Sequence, residues 1–119
     1  MSSDDPARLH EQPVKDARRE RGAAIVVLQG ELDLYNAQAV RDALTAAVKD
    51  AERVVVDLTA VTFVDSTAMG LLIEARSQLA DREAFVLASP GFETRRALQV
   101  SGLDRHFTLS DSVDAALTV

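Results

Sequence analysis

The sequence predicts an α/β fold, a mixed sheet with helices packed on it, and three observations carry that expectation. Short apolar runs rich in β-branched residues recur at 23–28, 54–58 and 84–88. Between them lie segments of about ten to fifteen residues with the apolar spacing of a helix face. Gly, Pro, Asn and Asp fall where the period changes. Strands that alternate with helices in this way build βαβ units.

Each element follows from its residues. Residues 1–12 are polar and sparse in apolar side chains and are expected to form a flexible tail, with one domain over 13–119. Residues 13–20 are crowded with charge, which suits an edge strand. The run 23–28 has the pattern of a strand buried on both faces, and Gly30 is expected to end it. Asn36 suits the cap of a helix whose inner face is Val40, Leu44, Ala47 and Val48. A second strand covers 54–58, and Val61 and Phe63 continue its apolar pattern toward Asp65-Ser66-Thr67. There the period turns helical: Met69, Leu72, Ile73, Arg76 and Ala80 share one face, with Leu71, Ala75 and Leu79 beside it. After a third strand at 84–88, Ser89-Pro90 reads as the cap and first residue of a helix that Gly102 closes in the left-handed conformation. A short strand over 106–109 and a helix over 111–117, with Asp111 and Asp114 in its first turn, complete the pattern.

Composition narrows the function. The 119 residues carry a net charge of -6, which repels phosphate backbones and anionic lipid surfaces. Five scattered aromatics, one Tyr and four Phe, make no base-stacking platform. Neither direct nucleic-acid binding nor a membrane partner is therefore expected. No apolar run approaches the roughly eighteen residues of a membrane span, and the acidic start lacks the apolar stretch of a signal peptide. Cysteine is absent, which removes disulfides and thiolate chemistry. A cytoplasmic location fits these features.

Two junctions could carry chemistry. Asp65-Ser66-Thr67-Ala68-Met69-Gly70 lies where a strand hands over to a helix, so two hydroxyls meet free backbone N–H groups. The plain alternative is that Asp65 or Ser66 simply caps the helix. Gly70, inside a helix, costs about 1 kcal/mol relative to Ala and is expected to admit another backbone. Gly30-Glu31-Leu32-Asp33 follows the preceding strand and converges on the same sheet edge, or is a solvated glycine turn. Val64-Asp65-Ser66-Thr67-Ala68 is not a nucleophile elbow, and His106 alone makes a poor case for a triad, so an enzyme is not expected. The glycines never cluster into a phosphate loop, and His10, His106 and scattered carboxylates lack metal-ligand spacing. No cofactor and no metal are expected. Arg95-Arg96 reads as a solvated helix face.

Together, Gly30-Glu31-Leu32-Asp33, the strand at 54–58 with Val61 and Phe63, and Asp65-Ser66-Thr67 resemble the STAS domains of bacterial anti-sigma factor antagonists. Ser89-Pro90 and Ser101-Gly102-Leu103 match later landmarks of that family, so the resemblance covers about residues 22–117. It implies a STAS-like fold, a mixed sheet of four to five strands with helices packed on it. It also implies a regulatory serine, which by position is Ser66. In such proteins the unphosphorylated form binds an anti-sigma factor that is also a serine-protein kinase, and a sigma factor is released. Phosphorylation switches binding off, and a PP2C-type phosphatase restores it. By the same resemblance Asp33 and Asp65 flank the phosphorylation site, and Glu31, Asp33, Asp65, Ser66, Thr67 and Met69 form the partner surface. One departure is Ala68-Met69-Gly70, where the family pattern has Gly-Leu-Gly. An alternative role is a STAS ligand-binding or scaffold subunit of a transport or stress-signalling complex, which needs no phosphorylatable serine.

Overall fold

A computed structural model describes residues 12–118; of the tail expected over 1–12, residues 1–11 lie outside the described residues. The chain runs β1 (Val14–Glu20), β2 (Ala23–Leu32), α1 (Ala37–Val48), β3 (Arg53–Val64), α2 (Ser66–Ser77), β4 (Phe85–Ala88), α3 (Phe92–Val100), β5 (Thr108–Ser110) and α4 (Val113–Leu117). Short 3-10 turns, Arg82–Ala84 and Leu103–Arg105, lead toward β4 and β5. The five strands lie side by side in chain order, with β1 antiparallel to β2 and every later pair parallel.

The order of elements decides where the helices go. β1 and β2 join through Arg21 and Gly22, both at positive φ (54° and 78°), the turn geometry that matches strand twist in a two-residue hairpin. From β2 onward each crossover steps in the same direction across the sheet. Right-handed crossovers then place α1, α2 and α3 on one face. No described strand follows α4, and it packs on the other face.

Side chains alternate accordingly. Val26, Leu28, Val54, Val56, Phe85 and Leu87 pack under α1, α2 and α3, while Ile25, Val55, Val86 and Ala88 pack against Ala116, Val113 and Leu117 of α4. The charged edge expected at 13–20 is β1. On it Arg18 pairs with Asp16 at 2.9 Å and Glu20 at 3.2 Å. Arg19 donates to the carbonyls of Ala46 and Lys49 at 3.4 and 2.8 Å, satisfying acceptors at the end of α1.

Several local expectations shift. β2 does not stop at Gly30 but passes through it to Leu32. Ser89 does not cap a helix: it sits at φ 55°, its hydroxyl donates to the Asp111 carbonyl at 2.8 Å, and α3 starts at Phe92 behind Gly91. Gly102 is left-handed as expected, at φ 77°. The last strand spans Thr108–Ser110 rather than 106–109. The last helix is capped by Ser112, which accepts from Ala115 N, so Asp111 lies before it and Asp114 in its first turn. Asn36 precedes α1 without a side-chain cap bond. On α2 the buried face is Ala68, Leu71, Leu72 and Ala75, with Met69, Ile73 and Arg76 half-buried at its margin.

Candidate functional site

β2 and β3 extend past the shorter β4 and carry two loops beyond the sheet. Register explains their shape. Partners on β3 lie 30 residues onward for Ala23 to Val27, 31 for Gln29 and Gly30, and 32 for Glu31 and Leu32. β3 therefore holds two extra residues, in two bulges that re-aim side chains near the strand ends. Gly30 sits at the second bulge with φ 72°, a conformation costly for other residues. After Leu58 the buried positions on β3 become Val61 and Val64, and Phe63, which continues the apolar pattern of the strand in sequence, turns outward.

The two loops are tied by carboxylates. Asp65 N donates to Leu32 O at 3.0 Å. Asp65 Oδ1 accepts from Ala68 N at 2.9 Å and caps α2, while its Oδ2 accepts from Leu34 N at 3.1 Å. Asp33 Oδ1 accepts from Tyr35 N at 2.9 Å and Asn36 N at 3.3 Å, an Asx turn. Asn36 closes the loop: its Oδ1 accepts from Asp33 N at 2.9 Å and its Nδ2 donates to Glu31 O at 2.7 Å. Both aspartates thus accept from backbone N–H groups of the loop after β2, and Asp65 also accepts from the first turn of α2.

This arrangement leaves Ser66 free. Because Asp65 provides the cap, the Ser66 hydroxyl has no hydrogen-bond partner among the described residues, and the residue is exposed at the first position of α2. Thr67 beside it is half-buried, and Glu31 is exposed. Met69 is half-buried and its Sδ accepts from Ser101 Oγ at 3.8 Å, joining α2 to the end of α3. Asp33, Asp65, Ser66, Thr67 and Met69 therefore follow the ends of β2 and β3 on one end of the molecule, and Glu31 lies in the last residues of β2 beside them. Gly70 does not serve close packing: a Cβ placed there meets nothing within 4 Å.

Sequence reading missed the apolar groups around Ser66. Leu34 and Tyr35 on one side are 66% and 85% exposed, and Phe63 and Val100 on the other are 52% and 81% exposed. Apolar side chains this open, beside an exposed hydroxyl, make this end a candidate interaction surface. The adjacent pair Leu34-Tyr35 in an otherwise polar turn was the available signal. His106 lies before β5 and packs edge-on against Phe107, ring centres 5.3 Å apart, whereas Ser66 follows β3. In parallel strands these are opposite ends of the sheet, so Ser66 and His106 do not pair. Among the described residues no cluster of His, Cys, Asp and Glu could hold a metal, and no helix is long and apolar enough to cross a membrane.

Known proteins share this architecture. The chain is 33% identical over 98 residues to the anti-sigma-F factor antagonist RsfB of Mycobacterium tuberculosis, spanning 82% of this chain and 80% of that protein. It is 32% identical over 80 residues to an anti-sigma-B factor antagonist of Listeria monocytogenes, spanning 66% of this chain and 70% of that one. The crystal structure of an anti-sigma factor antagonist from Mycobacterium paratuberculosis superposes with a TM-score of 0.79 at 33% identity, over 86% of this chain and 88% of the other. SpoIIAA in its unphosphorylated form shares the fold, with a TM-score of 0.70 at 22% identity over 86% and 91% of the two chains. The STAS domain family model matches residues 15–116. With nearly all of the described fold matched, the chain belongs to the STAS domain family.

Proposed function

We propose that this chain is an anti-sigma factor antagonist whose exposed end around Ser66 docks on an anti-sigma factor. That partner would also be the serine kinase that modifies Ser66, and a PP2C-type phosphatase would reverse the modification. The protein itself is a regulatory binding partner in the cytoplasm and performs no catalysis. The observation that carries this reading is the free, exposed Ser66 hydroxyl beside a carboxylate that already serves as the cap. A capping serine would be engaged; this one is available to a kinase cleft. Phosphorylation forms the Ser66 Oγ–P bond as the β–γ bond of ATP breaks, and the hydroxyl proton passes to a base of the kinase.

The switch is electrostatic. A phosphate adds about -1.5 to -2 charges. At the start of α2 it meets a favourable dipole worth about 0.3–1 kcal/mol, while Asp65 opposes it by about 1 kcal/mol in a solvated setting. Within the free protein these nearly cancel. Across an interface the phosphate is desolvated at a cost of several kcal/mol, and each 1.4 kcal/mol is about tenfold in affinity. A loss of about a hundredfold or more follows.

The test is labelling with the cognate kinase and ATP. Wild type takes up phosphate and Ser66→Ala does not, while Ser66→Ala still captures the anti-sigma factor. Label persisting on Ser66→Ala, for instance on Thr67, defeats the assignment.

A further inference from the structure

We propose that Arg96 is an internal clamp for phosphorylated Ser66, drawing the phosphate into the groove between α2 and α3. The inference rests on the reading of Ser66 as phosphoacceptor and concerns what the modified side chain does next. The groove encloses about 440 Å³, and its walls include Phe63, Ser66, Met69, Glu93, Arg96 and Val100. Near the end of α3, Ser101 Oγ approaches Met69 Sδ of α2 at 3.8 Å, while its shorter bond is to Ala97 O at 2.8 Å. Ser66 and Arg96 therefore stand on opposite walls of one cleft.

Arg96 is not otherwise engaged. Arg18 pairs with Asp16 and Glu20, Arg41 with Glu74, and Arg95 approaches Asp111 at 3.9 Å. Arg96, exposed on α3, has no ion-pair or hydrogen-bond partner among the described residues. Glu93, one turn earlier in the same groove, does not hold it. A planar guanidinium matches phosphate oxygens two at a time, and its aliphatic stem suits a cleft with apolar walls. In the unmodified protein the clamp is open. Once Ser66 carries a phosphate, the dianion is a stronger acceptor than the single Glu93 carboxylate. Pairing with Arg96 offsets repulsion from Asp65 and Glu93 and covers Phe63 and Val100.

The experiment installs phosphoserine at position 66 during translation, so it does not depend on any kinase. The second ionisation of the phosphate is then followed by phosphorus NMR across pH. A guanidinium partner favours the dianion, so the phosphate in wild type titrates about half to one pH unit lower than in Arg96→Gln. Arg96→Lys, which keeps charge but loses the fork, lies between them, and Arg95→Gln leaves the titration unchanged. Identical titration in wild type and Arg96→Gln overturns the clamp, as does an equal effect of Arg95→Gln, which would mark a diffuse field. Failure of the kinase to label Ser66 counts against the proposed function alone, because the phosphate here is installed directly.

Discussion

The carboxylate of Asp65 accepts the backbone N–H of Leu34 at 3.1 Å, joining residues 31 positions apart. Its other oxygen caps α2 through Ala68 N at 2.9 Å. One side chain thereby holds the loop after β2 against the helix after β3, and it frees Ser66 from capping.

Replacing that carboxylate tests the joint. Asp65→Ala removes a helix cap, worth about 0.5–2 kcal/mol, together with the bond to Leu34, worth about 1 kcal/mol. Asp65→Asn keeps a capping oxygen and costs less. Urea unfolding measures both; equal loss in the two variants would show that the cap contributes nothing.

Leu34→Ala and Phe63→Ala separate binding from folding. Both side chains are largely exposed. Their truncation is expected to change stability by less than about 0.5 kcal/mol. At a docking surface the same truncation costs at least about 1 kcal/mol, roughly fivefold in affinity. Titration with the anti-sigma factor reads the second quantity, and unchanged affinity for both variants would place the interface elsewhere.

Two glycines on the same path respond in opposite directions. Gly30→Ala forces a side chain into φ 72° and is expected to destabilise by about 1–2 kcal/mol. Gly70→Ala meets no neighbour within 4 Å and raises stability by about 0.5–1 kcal/mol. If Gly70→Ala nevertheless weakens partner binding, that glycine serves the interface and not the fold.

Phosphorylated and unphosphorylated proteins are expected to melt within about 5 °C of each other, since a 1 kcal/mol imbalance moves a domain of this size by roughly that much. Their affinities for the partner should differ about a hundredfold. A larger melting shift with little change in affinity would make the switch conformational.

The sequence carries the α/β alternation on its surface, because buried parallel strands need continuous apolar runs and their crossovers need one apolar helix face. It also placed Asp33, Asp65 and Ser66 beyond strand ends, since the loops that end strands are marked by local chemistry; Glu31, expected in the same loop, is instead paired within β2 opposite Phe63. Other features depend on contacts between distant segments. Ser89-Pro90 has the local form of a helix start, yet Ser89 is captured by the Asp111 carbonyl 22 residues away. Phe63 keeps the apolar character of its strand, yet two bulges set by pairing with β2 rotate it to the surface. Whether Asp65 or Ser66 capped α2 was equally open in the sequence, because both are good caps. The Leu34 N–H resolves it: the two oxygens of the Asp65 carboxylate accept separately from Leu34 N in the loop and Ala68 N in the helix, so one side chain serves both.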